Sequence, residues 1–277
     1  ATVPDPEQAR PGTAWFGLPP LELPRRAAAA DPRLAQPPTP LRVATRLFWE
    51  LARFGLPLLP ILVVAGWSDG IEAASAQFGA WALAFAAAPA LTLAAGLALV
   101  AAIVLLKWTL LGRVRPGERA FWSCWCGRWD FLYMAWENWG RSVLGQLDGT
   151  LLLNQFLRFT GVRIGRRVAL GPGFIQVVDP DMLAIADGAT VSGHIQSHTF
   201  EDRILKMDRV RIGAAATLGD QSVALYGASL GAGARVAPHS VVMKYDLVPP
   251  AADYAGAPAR ALSGPASDHT LASVADS

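Results

Sequence analysis

The chain has 277 residues, enough for one large domain or two small ones, and is 52% apolar with only 17% charged residues. Its 24 basic and 22 acidic side chains nearly cancel, so no nucleic-acid partner is implied. The two cysteines form a lone Cys124-x-Cys126, which suits neither a disulfide framework nor a zinc site and reads as reduced helix residues in a cytoplasmic segment.

The chain opens in proline-rich sequence without an initiator methionine and reads as a fragment of something longer. Trp15-Phe16-Gly17-Leu18-Pro19-Pro20 shares the pattern aromatic-x-Gly-x-Pro-small with Tyr254-Ala255-Gly256-Ala257-Pro258-Ala259, so residues 1–26 read as the tail of a preceding, similar domain. Residues 27–40, with Pro32, Pro37, Pro38 and Pro40 among alanines, form a linker. Residues 41–111 then read as a transmembrane helix pair. Phe78 to Leu106 carries no charge, enough to span a bilayer with some tilt. Leu47 to Trp67 is the weaker span, with Glu50 and Arg53 near its start and Pro57 and Pro60 inside. The intervening Ser68–Gln77 reads as a short acidic loop. Arg42, Arg46 and Arg53 on one flank and Lys107, Arg113 and Arg115 on the other place both ends in the cytoplasm, at the plasma membrane. Composition leaves one alternative, two buried helices of a soluble domain.

Residues 112–160 read as interfacial and capping helices. Trp122, Trp125, Trp129, Leu132, Trp136 and Trp139 recur at helical spacing, one apolar stripe about five turns long. Tryptophan favours the membrane–water boundary, so the expectation is an amphipathic Trp-rich helix on the membrane or wedged beneath the next domain. Packing on protein without lipid contact is the alternative. Leu144 to Phe159 is expected to form a helix over the open end of that domain.

Residues 162–262 carry the strongest pattern. Ile212, Leu218, Ala224, Leu230, Val236 and Val242 lie six apart, and Ala216, Ser222, Ala228, Ala234 and Ser240 follow the first five at four residues. A period of six fits neither a helix nor an isolated strand. It fits a left-handed parallel β-helix of hexapeptide repeats, with aliphatic residues on the axis and small ones at the corners. Such coils occur mostly in acyltransferases, an analogy of fold alone. Two spacings of 21, Ile164 to Ile185 and Val191 to Ile212, mark excursions from the coil, where function concentrates. Residues 263–277 read as a disordered tail.

The second excursion, residues 193–203, holds His194, His198, Glu201, Asp202 and Arg203 inside an Ala/Gly/Val-rich coil. A histidine there could serve as general base with an acidic neighbour orienting the imidazole. The same residues could instead bind a metal, although no zinc signature is present, or be surface histidines satisfied by backbone. His239 and His269 read as incidental.

Ser192-Gly193-His194 through His198-Thr199-Phe200-Glu201-Asp202-Arg203, then Lys206-Met207-Asp208-Arg209-Val210-Arg211-Ile212-Gly213, resembles the C-terminal region of ε-poly-L-lysine synthetases and related amino-acid homopolymer synthetases. Leu111-Gly112-Arg113-x-Arg115-Pro116-Gly117-Glu118, the Trp-rich stretch and Trp15 through Leu23-Pro24-Arg25-Arg26 extend the likeness to residues 10–262. The resemblance implies one acyltransferase-like condensation domain of a membrane-embedded non-ribosomal peptide synthetase. Its partners would be the membrane, adenylation and carrier domains, sibling tandem β-helix domains and an amino-acid substrate, with a homo-oligomer open. An aminoacyl thioester on a carrier's phosphopantetheine arm would meet an amine, and no metal is implied. His194 or His198 would be the catalytic base, and Glu201, Asp202 and Arg203 would hold substrate. A non-catalytic scaffold in a tandem array and a membrane acyltransferase using acyl-CoA remain as alternatives.

Overall fold

The computed structural model describes residues 14–16, 21–23, 33–34, 37–171, 179–201 and 203–262. The expected linker lies mostly outside these residues, and the tail 263–277 entirely. Two short segments near the ends fold alike. Ala14–Phe16 pairs antiparallel with Leu21–Leu23, as Asp253–Ala255 does with Arg260–Ala261.

Three parallel sheets form the three faces of the coil. On the first face Ile164, Ile185, Ile212, Leu230 and Val248 stack in register. Leu170, Val191, Leu218, Val236 and Tyr254 do so on the second, and Ile195, Ala224 and Val242 on the third. Each aliphatic residue of the six-residue repeat is at most 2% exposed, and all five small corner residues are fully buried. Tight stacking explains the glycines that follow the aliphatic positions. A Cβ on Gly231 would stand 2.5 Å from the backbone nitrogen of Pro250 on the next coil. Corners also take left-handed backbone. His239 sits at one with φ 57°, its N–H donating to the Asp220 carbonyl at 3.0 Å. This gives the incidental histidine a structural place.

The open end of the coil is covered by the helix Leu151–Thr160. Thr150 caps its start and left-handed Gly161 ends it. It buries Leu153, Phe156 and Leu157. Arg158 donates to the Ile164 and Gly165 carbonyls at 3.1 and 2.7 Å, satisfying acceptors that the first strand would otherwise leave open. The cap is shorter than Leu144–Phe159, because the chain turns through Gly145–Leu147 and Gly149 before restarting.

The tryptophan stripe from Trp125 on lies in the helix Cys124–Ala135 and a wider turn, Trp136–Gly140, whereas Trp122 precedes the helix, which Ser123 caps. Trp129, Trp136 and Trp139 are buried, so the stripe faces protein rather than an open apolar surface. It is clamped from two sides. Trp49 fills the place of a Cβ on Gly127, and Ile103 that on Gly140. Cys126 is buried within this helix and Cys124 is exposed, both free. Burial pushes the Cys126 thiol up. A maleimide should therefore modify Cys124 within minutes and leave Cys126 unmodified until the protein is denatured, which mass spectrometry of the intact chain will show.

Pro40–Ala52 packs on the Trp-rich helix, and after a bend at Arg53–Pro57 Leu58–Gln77 returns against Ala88–Leu110. The expected loop 68–77 is helical, and the reversal comes at Phe78–Gly79 instead. The helix runs through the turn-forming Ser68-Asp69-Gly70 and stops where Phe78 and Gly79 take extended backbone. Both helical stretches are long and apolar enough to cross a membrane, and only 6% of either apolar window is buried. That exposure argues against two core helices of a soluble domain. The basic flanks are tied to the rest of the chain. Arg46 and Arg53 meet Asp130 of the Trp-rich helix at 2.6 and 3.3 Å, and buried Lys107 meets Asp181 at 2.8 Å. Both ends of the hairpin thus lie against the body that carries the β-helix, and Asp69 lies exposed on the part of the hairpin beyond Leu58.

Candidate active site

The later excursion leaves the coil after the strand His194–Gln196, at the corner before the first face, and the described end of the earlier one re-enters at that corner. The earlier one ends at Asp179 and re-enters through the turn Pro180–Met182. The later one is a hairpin, His198–Glu201 with Ile204–Met207, whose second strand also pairs with Gly117–Ala120. Asp208 N–H donates to the Ser197 carbonyl at 3.0 Å and closes the hairpin base. Stacked corners therefore bring Asp179 beneath Ser197 and His198.

There Nδ1 of His198 lies 2.6 Å from Oδ2 of Asp179. The carboxylate is nearly inaccessible, 1% exposed, whereas the His198 side chain is 19% exposed. Trp129 donates its indole N–H to Asp179 Oδ1 at 2.7 Å, and the Ser197 hydroxyl donates to Oδ2 at 3.1 Å. A buried carboxylate is costly unless its oxygens are satisfied, and here both are. The indole ring of Trp129 and the phenyl ring of Phe200 stand edge-on to the imidazole at 5.0 and 5.9 Å. This accounts for the position of Trp129, whose ring fills the core while its one polar atom holds Asp179. An ionised Asp179 accepts the N–H of Nδ1, which leaves Nε2 as the nitrogen able to take a proton.

The other expected site residues are not gathered around this pair. His194 lies exposed on the regular third-face strand His194–Gln196, because its neighbour Ile195 stacks on Ala224 in the interior column. The excursion accordingly starts at Ser197 rather than 193. Glu201 is engaged by Lys206 at 3.2 Å and by Lys244. Burial acts to raise its carboxyl, and the two lysine hydrogen bonds outweigh it, so its pKa lies below the ordinary carboxylate value. Two internal cations, Lys206 and Lys244, are thus already on Glu201. Arg203 is exposed at the hairpin tip in left-handed backbone, its carbonyl accepting from Phe121 N–H at 3.0 Å. Asp202 lies outside the described residues. Among the described residues no three His, Cys, Asp or Glu side chains are grouped as metal ligands would be.

Asp179, Ser197 and Trp129 escape a reading along the sequence. The available signal is that both excursions interrupt consecutive coils, so their ends must stack. Asp179 is the one carboxylate between Gly171 and Pro180.

No family model matches the chain. It is 31% identical over 267 residues to the δ-poly-L-ornithine synthetase of Acinetobacter baumannii, a match covering 93% of this chain and 20% of that protein. The resemblance to amino-acid homopolymer synthetases is thereby shown for nearly the whole chain, which spans about a fifth of that relative. Among solved structures it is similar to a maltose O-acetyltransferase of Clostridium difficile, at 13% identity and TM-score 0.36 over 56% of this chain and 95% of that one. A hexapeptide-repeat acetyltransferase of Vibrio cholerae gives 16% identity and TM-score 0.32 over 60% and 90%. These likenesses are remote, and the β-helix stands on the strand register described above.

Proposed function

We propose that this chain is a condensation unit of a membrane-embedded, amino-acid-polymerising peptide synthetase, and that His198 is its general base. The observation that carries this reading is the 2.6 Å contact of His198 with a buried Asp179 whose other bonds fix it in place. A His–carboxylate pair with one face open suits deprotonation of an incoming nucleophile. The match to a poly-ornithine synthetase supports an amine as that nucleophile.

The acyl donor is an aminoacyl thioester on a carrier's phosphopantetheine arm, and so a substrate rather than a resident cofactor. Trp129 and Phe200 give the imidazole an apolar rim that suits a thioester better than a charged group. An ammonium has no lone pair, so the acceptor must first lose a proton. As the neutral amine forms the C–N bond, Nε2 of His198 takes the proton that the nitrogen sheds. Collapse of the tetrahedral intermediate breaks the C–S bond, and that proton passes to the departing thiolate. Asp179, accepting from Nδ1, stabilises the imidazolium between these steps.

The hairpin Pro40–Leu110 is read as membrane-spanning, with the β-helix on the side of its two ends, the cytoplasm by the basic flanks. Residues 1–26 are read as the end of a similar tandem domain, supported by the like-folded end segments. In a Cys124→Ser background, Asp69→Cys and Arg235→Cys should label from opposite sides of the membrane. Labelling of both from one side would sink the spanning hairpin.

The function itself is tested in the full-length synthetase carrying His198→Ala. Adenylation and carrier loading should remain normal while amide formation is lost. If polymer forms at the parental rate, this copy is a scaffold beside an active sibling. If the chain acylates amines from acyl-CoA with no carrier present, the donor assignment fails.

A further inference from the structure

Just beyond the end of the Ala88–Leu110 helix lies a partly open cavity of about 210 Å³, lined by neither His198 nor Asp179. Its lining includes Arg113, Arg115, Arg163 and Arg209, with Asp181 and Gly161. Four arginines and one carboxylate thus line it, and that carboxylate is already taken. Lys107 holds Asp181 Oδ2 at 2.8 Å and the Val114 N–H donates to it at 3.0 Å. Among the described residues no ion pair is formed by the four arginines, and the buried Nε of Arg209 has no hydrogen-bond partner. Four arginines without ion-pair partners around one partly open cavity suit an anion with several oxygens, and guanidinium matches phosphate by paired hydrogen bonds.

The surroundings say where that phosphate comes from. Trp108, 44% exposed, closes the apolar helix and donates its indole N–H to the Phe159 carbonyl at 2.8 Å. Leu105 on that helix and Leu151, Leu152 and Phe159 on the capping helix are exposed as well, so apolar surface is shared by the hairpin and the capping helix that Trp108 joins. Gly161, which ends that helix, lines the cavity. A tryptophan and an apolar rim with arginines just beyond is the order expected from acyl chains to headgroups.

We infer that this arginine pocket binds the headgroup phosphate of an anionic phospholipid and seats the β-helix against the membrane surface. The inference rests on the membrane reading of the hairpin. Its test is retention of lipid by the chain released from nanodiscs of phosphatidylcholine with a minor share of phosphatidylglycerol, weighed by native mass spectrometry. The parent should keep phosphatidylglycerol at least tenfold above its share of the bilayer. Arg163→Gln/Arg209→Gln should bring retention down to that share, and Arg235→Gln, an exposed arginine on the second face of the coil, should not change it. Arg113→Gln/Arg115→Gln, in exposed side chains, gives the same reading should Arg209 be needed for folding. Unchanged retention in both double variants overturns the site. Loss of the lipid to millimolar inorganic phosphate or glycerophosphoglycerol assigns the pocket to a soluble phosphate and overturns the lipid. Failure of the chain to enter nanodiscs at all sinks the membrane reading and this inference together, whereas entry without lipid preference sinks the inference alone.

Discussion

Asp179→Asn is expected to abolish amide formation almost as fully as His198→Ala, with the fold intact. Loss of a general base costs about two to four orders of magnitude in rate. Asparagine has nearly the volume of aspartate and can still accept the Trp129 N–H on Oδ1. At the Oδ2 position, though, it presents an NH₂ toward Nδ1 of His198 and the Ser197 hydroxyl. Nδ1 must then accept, which moves the ring proton to Nε2, the nitrogen needed as base. A rate loss of about a hundredfold or more with an unchanged melting temperature is the expected result, measured in the full-length synthetase with normal carrier loading. His194→Ala, on the exposed third face, should retain activity within about twofold. The pH–rate profile separates base from bystander, since only removal of His198 should erase the acidic limb. An Asp179→Asn enzyme at the parental rate would show that the 2.6 Å contact is structural.

His198 was within reach of the sequence because it breaks an apolar repeat of fixed period, and a break in so regular a pattern has to leave the coil. Its carboxylate was not, because Asp179 lies 19 residues earlier and meets it only through the stacking of coils. The pairing of Glu201 was equally hidden. Lys206, which neutralises Glu201, comes from the opposite strand of the same hairpin, and Lys244 from a later coil, pairings that charge pattern alone does not reveal. The tryptophan stripe shows another limit. A helical apolar period states that one face is covered and says nothing of whether lipid or protein covers it. Trp49 on Gly127 and Ile103 on Gly140 decide for protein. The coil itself was legible because two independent demands coincide at a period of six, aliphatic volume on the axis and small side chains at the corners.

That coincidence makes Leu230 the sharpest probe of the fold. It is 2% exposed and stacks between Ile212 and Val248 in the first interior column. Leu230→Asp removes an apolar side chain whose burial is worth about 1.5–3 kcal/mol. It also places a carboxylate on an axis built of aliphatic side chains, where an unpaired charge costs several kcal/mol more even after relaxation. Against a total stability of roughly 5–15 kcal/mol for a folded protein, the sum unfolds the coil or leaves it on the edge of unfolding. The expected readout is loss of the cooperative thermal transition and rapid cleavage within residues 162–262 by a protease that spares the parent. Two controls set the scale. Leu230→Met nearly conserves volume and should cost under about 1.5 kcal/mol. Leu247→Asp lies on the same face one coil on, but 68% exposed, and should stay within about 0.5 kcal/mol of the parent. Neighbouring residues of a strand point to opposite faces, so a register wrong by one would exchange Leu230 with Ser229. A tolerated Leu230→Asp beside a destructive Ser229→Asp would therefore mean that the interior columns are misassigned, and with them the stacked corners that bring Asp179 to His198.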